Sequence, residues 1–235
     1  MEAHTKFDIA HAFVATSNDI SKLWDIFQNY GLIVTATVSC ADGLVRHFDS
    51  CESLVQYDNP ARAAITSLEI SARSRDPYAT AEISLGARYS APISISLRGE
   101  ENAVSSMRTY VSDAVDGMRA WYSRIARIDF FYIWFPIFMV LFLLAQIMSP
   151  SGTPHPAMPL KKALELVAIS TAVIGSIAAV IWAIAWLRKR FFPAATFAIG
   201  QGLSRHQHNE QVRWVVIVGF VVGVGASLAA TILLA

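Results

Sequence analysis

Four residues that lie close together in the chain have side chains suited to nucleophilic chemistry: His47, Asp49, Cys51 and Glu52. A histidine beside a cysteine can activate the thiol, and a carboxylate can orient the imidazole. The same spacing fits a simpler role, because Asp49 followed three residues later by Glu52 is the pattern of a capping box that opens a short helix. We therefore expect no catalytic residue here, and we predict that the chain is not an enzyme.

A second chemical pattern is the pair of histidines at His206 and His208. Imidazole is a common metal ligand, but no carboxylate or thiol cluster lies beside this pair in the sequence. The two cysteines, Cys40 and Cys51, have ten residues between them and form no CxxC motif. The sequence also contains neither a P-loop nor a dinucleotide-binding fingerprint. It thus predicts no metal and no cofactor.

The charge distribution argues against nucleic acid as a partner. Residues 1–128 contain 12 Lys and Arg against 15 Asp and Glu, and residues 129–235 contain 7 against 3. The first part is mildly acidic and has no basic block of the kind that nucleic-acid binding needs. No nucleic-acid partner is expected.

Residues 1–128 are expected to form an α+β domain. Alternating apolar and polar residues predict an antiparallel sheet of about five strands between residues 32 and 98, with main helices at 18–30 and 101–127. In the runs 79–85 and 92–98 the apolar positions alternate with a polar, hydroxyl-rich set: Thr80, Glu82, Ser84, Ser94, Ser96 and Arg98. Such a sheet is covered on one side. Its other face is open either to water or to a partner.

The predicted helix 101–127 carries an apolar stripe at alternating steps of three and four residues. The stripe includes Val104, Met107, Val111, Met118, Trp121 and Ile125. One interpretation is that the stripe packs on the sheet. The other is a coiled-coil or signalling helix that joins subunits and, by continuing into the first apolar stretch, couples the domain mechanically to the membrane.

Three apolar stretches in residues 129–235, at about 130–148, 164–187 and 214–234, have the length of membrane spans. They predict an all-α, three-span transmembrane bundle behind the α+β domain. Lys and Arg are concentrated before the first stretch and in the loop 188–213, which by the positive-inside rule places the N-terminus in the cytoplasm and the C-terminus outside. The localisation predicted from these stretches is a bacterial inner membrane.

Particular residues of this half are assigned roles that depend on that bundle. Small residues that would let helices approach closely are Gly175, Ala179, Gly219, Gly223 and Ser227. Basic residues expected to anchor the chain at the membrane surface are Arg188, Lys189, Arg190 and Arg213. The predicted partners are the lipid bilayer, further copies of the chain through the transmembrane helices, and a cytosolic protein or small ligand.

The loop 191–210 allows two interpretations. It is rich in apolar and small residues with basic residues behind them, which is typical of a segment lying at a membrane interface. It could instead pack beneath the N-terminal domain.

Three functional hypotheses follow. The first is a non-enzymatic sensor or interaction protein whose N-terminal domain binds a partner or ligand and signals to an oligomeric bundle, in one version as a membrane-disrupting immune effector. The second is a channel or transporter subunit gated by that domain, against which the lack of charged residues inside the apolar stretches counts. The third is a membrane-tethered enzyme with a dispersed site. A deep pocket with converging ionisable groups would favour an enzyme, whereas a shallow, hydroxyl-lined sheet would favour binding.

Overall fold

The computed structural model describes residues 1–75, 79–86, 91–126, 134–136, 139–140 and 160–234. Within the last range, only the backbone is described at 160–170, 173–174, 217, 220–221 and 228–234. The chain divides into two compact units, Met1–Ala126 together with Pro193–Ala235, and Arg127–Phe192. Each unit is described by itself.

The first unit contains eight strands in its described residues. They are β1 Glu2–Ile9, β2 Phe13–Thr16, β3 Ile33–Cys40, β4 Val45–Phe48, β5 Ile65–Arg73, β6 Thr80–Gly86, β7 Ile93–Glu100 and β8 Ala195–Ala198. The helices of the described chain are α1 Ser17–Asn29, α2 Cys51–Val55, α3 Glu101–Gly117, α4 Ser123–Ala126, α5 Leu160–Phe191 and α6 Gln201–Leu234, with a 3-10 turn at Ala61–Ala63. Of these helices, α5 belongs to the second unit.

Six of the strands form one antiparallel sheet in the order β1-β7-β6-β5-β3-β4. Side chains alternate between its two faces because a strand repeats every two residues. One face is apolar and packs against α1 and α3, and its core includes Val38, Ile70, Ile83 and Ile95, all of which are fully buried. The predicted α+β class and antiparallel sheet are confirmed, with six strands where about five were expected.

Helix α1 begins where the sequence predicts because Thr16 caps it. The Thr16 hydroxyl accepts a hydrogen bond from the Asp19 amide, and the Asp19 carboxylate accepts one from the Thr16 amide in return. Its buried residues Ile20, Trp24 and Phe27 recur at helical spacing and face the core. The helix therefore covers the sheet through its apolar stripe.

The helix predicted at 101–127 is shorter than expected, since α3 ends at Gly117. Within α3 the stripe residues Val104, Met107 and Val111 are buried in the core, which favours the interpretation that the stripe packs on the sheet. Met118 follows the helix and is also buried, and its carbonyl accepts a hydrogen bond from the Val14 amide in β2. The helix ends here because the Met118 carbonyl is bonded to the Val14 amide of β2.

The other two stripe residues lie beyond this break and are largely exposed, Trp121 at 48% and Ile125 at 37%. A single rigid rod through residue 127 is therefore wrong. The last buried residues of the helical stripe are Val115, in α3, and Met118, directly after it. Trp121 instead contacts the C-terminal part of the first unit.

The C-terminal part of the first unit is held on the domain by β8, which pairs in parallel with β2. The buried amide of Asn59 joins the two parts, since its Nδ2 donates to the carbonyls of Phe197 (3.1 Å) and Ile199 (3.3 Å). Its Oδ1 accepts from the Ile65 amide at the start of β5 (2.9 Å). Residues 193–214, which we call the docked segment, thus follow the second of the two sequence interpretations and pack on the N-terminal domain.

A glycine makes this approach possible. Gly200 has a φ of +49°, and a Cβ there would come within 2.6 Å of the Asp58 carbonyl oxygen. The Gln201 amide donates to that same oxygen at 2.8 Å. A side chain at position 200 would push the start of α6 away from the domain.

The prediction of a transmembrane bundle is wrong. Among the residues that the structure describes, no helix combines the length and the apolarity needed to cross a membrane. The second predicted stretch lies in α5 and the third in α6. The polar first part of α6 contacts the domain through Arg205, which donates to the Asn59 carbonyl. The first stretch, at 130–148, falls almost entirely outside the described residues. The predicted inner-membrane localisation, which rested on the same three stretches, is wrong for the same reason.

We predict that Asn59→Ala lowers the free energy of unfolding by about 2–4 kcal/mol, because it leaves buried carbonyls and an amide without their partner. Asn59 also has a φ of +46°, so part of that loss is backbone strain. Asn59→Gly tolerates this φ and isolates the hydrogen-bond contribution. Denaturant unfolding followed by circular dichroism measures both.

The matched control is Asn29→Ala, at the exposed end of α1. It should change stability by no more than about 0.5 kcal/mol. Equal losses for Asn29→Ala and Asn59→Gly would show that the Asn59 amide does not hold the docked segment.

Candidate functional site

The face of the six-stranded sheet opposite α1 and α3 carries mostly polar side chains in register, with the exposed Ile33 beside Arg73 as an exception. Cross-strand partners share a face, so the pairing aligns three rows. The first row is His4, Arg98, Thr80 and Arg73; the second is Lys6, Ser96, Glu82, Ser71 and Thr35; the third is Asp8, Ser94, Ser84, Glu69, Thr37 and His47. We call this surface the polar face.

The hydroxyl-rich set predicted from sequence lies on this face. Thr80 is the partner of Arg98, Glu82 of Ser96 and Ser84 of Ser94, all across β6 and β7. The contribution of β1 was not predicted, although residues 2–9 alternate in the sequence, with Phe7 and Ile9 on the apolar side.

Two adjoining depressions cross the polar face at the first two rows. One, of about 530 Å³, is lined by Glu2, Ala3, His4, Thr80, Ser96 and Arg98. The other, of about 440 Å³, is lined by Ser71, Ala72, Arg73, Ser74, Arg75, Ala79, Thr80, Ala81, Glu82 and Ser96. Because they share Thr80 and Ser96, they form one shallow trough across β1, β7, β6 and β5, which we call the trough.

The basic groups of the trough differ in how they are held. Arg98 donates from Nε to a Glu2 carboxylate oxygen at 2.7 Å, which orients its guanidinium. Arg73 and Arg75 are exposed and form no hydrogen bond or ion pair with the rest of the described chain. Charged donors without an internal partner are available to an incoming ligand.

A second group of polar and aromatic residues lies where the docked segment meets residues 121–122. The Trp121 indole N–H donates to Glu210 (3.2 Å), and the Trp121 ring stacks on Trp214 with centroids 5.6 Å apart. Arg213, predicted as a membrane anchor, is 1% exposed, with its guanidinium 4.2 Å from the Tyr122 ring centroid. This cation–π contact stabilises the docked segment within the domain.

His206 belongs to this second group. Its Nε2 lies 3.3 Å from a Glu210 oxygen one helical turn later. Burial lowers the pKa of His206 below its ordinary value, the Glu210 charge opposes that effect, and the Arg213 charge adds to it. His208 is exposed, two positions further along α6, and residues at that spacing do not face each other on a helix. The pair does not form a metal site.

The residues suited to nucleophilic chemistry are not brought together as a reactive unit. His47 shares a hydrogen bond with the Thr37 hydroxyl on the polar face (3.1 Å), whereas the Cys51 sulfur lies 3.5 Å from the Ser21 hydroxyl. The capping box predicted for Asp49 and Glu52 is wrong, because Ser50 is the residue that caps α2.

Cys40 lies in a clamp around the β3–β4 turn. Two nitrogens of Arg46 donate to Asp42 (2.7 and 3.2 Å), and this contact lowers the pKa of the Asp42 carboxyl. The Cys40 sulfur lies 3.8 Å from the Tyr57 hydroxyl, whose pKa is raised by burial and by the neighbouring thiol. These contacts hold the β3–β4 turn closed, which gives Cys40, Asp42, Arg46 and Tyr57 a structural role.

The residues predicted to pack helices together stay a prediction. A Cβ added at Gly175, Gly219 or Gly223 would meet no heavy atom within 4 Å. The small residues Ala179 and Ser227 lie in the same two helices, α5 and α6. Arg188, Lys189 and Arg190 lie in the last turn of α5, and the membrane-surface role predicted for them likewise stays a prediction.

We predict that acidification weakens the docked segment through His206. Because the pKa of His206 is lower in the folded state, the unfolded chain takes up the proton first as the pH falls. The contribution of neutral His206 to the free energy of unfolding is therefore complete above about pH 6.5 and is lost as the pH falls below that value. His206→Gln should lose less thermal stability than the wild type between pH 7.5 and pH 5.5. The exposed His208→Gln serves as the control and should lose as much as the wild type. Identical pH profiles for all three proteins would exclude His206 as the titrating group.

Comparison with known proteins found no similarity that assigns the fold or the trough: no protein-family model, no curated protein and no solved structure matches the chain.

Proposed function

We propose that the chain is a non-enzymatic sensor or interaction protein that binds a ligand or partner on the polar face. The observation that carries the proposal is the trough. It is a shallow, hydroxyl-lined surface, which is the geometry that favours binding over catalysis. Its lining combines Arg73 and Arg75, which have no partner among the described residues, with hydroxyls that can both donate and accept.

The nature of the uncovered face supports this proposal over a purely structural role. Thr35, Ser71, Glu82 and Ser96 form one continuous cross-strand row, so polar groups project together over four neighbouring strands. Hydroxyl and carboxylate groups placed side by side give specificity through several simultaneous hydrogen bonds.

The docked segment gives the sensor part of the proposal a physical basis. Strand β5 contributes Ser71 and Arg73 to the trough, and its first residue, Ile65, donates to the Asn59 side chain. The same side chain holds the carbonyls of Phe197 and Ile199. A ligand that stiffens β5 would therefore strengthen the attachment of β8 and α6. A channel subunit or an enzyme has no comparable support in the described residues.

We predict that blocking the trough abolishes ligand binding. The test is a thermal-shift screen of the full chain against anionic, cationic and neutral polar small molecules. Ser96→Trp fills the trough with a residue that strands accommodate well, and Ser105→Trp makes the same change on the exposed side of α3. At least one chemical class should raise the melting temperature of the wild type and of Ser105→Trp but not of Ser96→Trp. A screen in which no class stabilises the wild type, or in which both variants respond equally, would refute binding at this face.

We further predict that binding slows hydrogen exchange in β8, which begins 97 residues after Arg98, the last trough residue in the sequence. Mass spectrometry of the wild type with a stabilising ligand should show added protection at Ala195–Ala198 as well as in β5, β6 and β7. Asn59→Gly should keep the protection in β5 to β7 and lose it in β8. If β8 exchanges equally with and without ligand in the wild type, the sensor part of the proposal fails and binding alone remains.

A further inference from the structure

We propose that the trough binds a small molecule carrying a phosphate group, and this inference rests on the proposed function of the polar face. The starting observation is the first row of that face. His4, Arg98, Thr80 and Arg73 are successive cross-strand neighbours on β1, β7, β6 and β5. With strands about 4.8 Å apart, the row spans about 14 Å.

The donors of this row suit a phosphate. Glu2 accepts from Arg98 Nε at 2.7 Å, and among the described residues no other group binds the terminal nitrogens of Arg98, which stay available. Arg73 and Arg75 approach from the opposite end of the trough and have no partner elsewhere in the described residues. Guanidinium groups bind phosphate oxygens in pairs, and the Thr80 hydroxyl between them can donate a further hydrogen bond.

The acidic side chains restrict the ligand to a small molecule. Glu2 and Glu100 are cross-strand partners on one side of the first row, and Asp8 and Glu69 lie in the third row. The positive side chains therefore lie only in and beside the first two rows, with Lys6 in the second, and the carboxylates on either side would repel the continued phosphate backbone of a nucleic acid. The depressions of about 530 and 440 Å³ lie in the usual range for small-molecule sites.

Glu82 indicates what the part of the ligand next to the phosphate, its second half, must contain. It lies two residues along β6 from Thr80, or about 7 Å at the usual rise of a strand, and it lines the same depression as Arg73. A carboxylate here disfavours a bare phosphate ion and accepts hydrogen bonds from hydroxyl or amino groups. The ligand class that fits is a phosphate monoester with hydrogen-bond donors next to the phosphate.

The test is calorimetric titration of the full chain with three monoesters: glucose 6-phosphate, ribose 5-phosphate and adenosine monophosphate. Glucose, ribose and adenosine are the matched probes without phosphate, and inorganic phosphate is the probe without the donors. We expect at least one monoester to bind more tightly than both of its parts. Failure of all three monoesters to bind at about 10 mM, a concentration that detects even weak complexes, would overturn the inference.

Substitutions locate the site. Arg73→Gln should weaken the monoester about tenfold, and Arg73→Gln with Arg75→Gln should weaken it further, while Arg62→Gln, an exposed arginine outside the trough, should leave affinity unchanged. Equal losses for Arg73→Gln and Arg62→Gln would contradict the assignment. Because these side chains are exposed, the unliganded melting temperatures should match the wild type, which excludes misfolding as the cause.

Glu82→Gln tests the second half of the ligand. Removing its charge should tighten inorganic phosphate and reduce the preference for the monoester. An unchanged preference would contradict the role of Glu82. If no monoester binds but a neutral or cationic compound does, and Ser96→Trp blocks it, the phosphate inference fails while the proposed function stands.

Discussion

One constraint underlies the rest of the fold: among the residues that the structure describes, helices cover only one face of the six-stranded sheet. Because side chains alternate along a strand, burying Ile83 and Ile95 in the apolar core places Glu82 and Ser96 on the opposite face. Burial of the apolar core stabilises the sheet, so the polar face can stay open without lowering the stability of the fold. Antiparallel pairing then sets the rows, so the chemistry of the trough is a consequence of register.

A second interaction links the two ends of the chain. The amide of Asn59 bonds at once to the start of β5 and to the carbonyls around β8, which joins segments 138 and 140 residues apart. Buried amide groups are costly when any partner is missing, so such a hub holds its segments in one arrangement. Arg205 adds to it by donating to the Asn59 carbonyl at 2.7 Å. The docked segment is thus part of the domain that contains the trough.

The alternation of apolar and polar residues predicted the strands whose faces are set by their own sequence. The runs 79–85 and 92–98 alternate cleanly, and their polar faces lie where the sequence indicated. The row from His4 to Arg73 was not predictable, because it depends on β1 pairing with β7 across 90 residues of chain. Strands β2 and β8 have four residues each and pair over a still longer separation, which leaves no periodic signal to detect. Hydropathy alone also gave the wrong prediction of a transmembrane bundle in the C-terminal half. It takes no account of contacts with the domain, such as the hydrogen bond from Trp121 to Glu210 in α6.

The central claim is that ligands bind on the polar face. The most direct measurement is a map of backbone amide chemical shifts in the full chain during titration with the tightest-binding monoester. The largest shifts should fall at the trough, in residues such as Thr80, Ser96 and Arg73, with smaller ones in β8. Largest shifts in α1 or α3, on the covered side of the sheet, would contradict it.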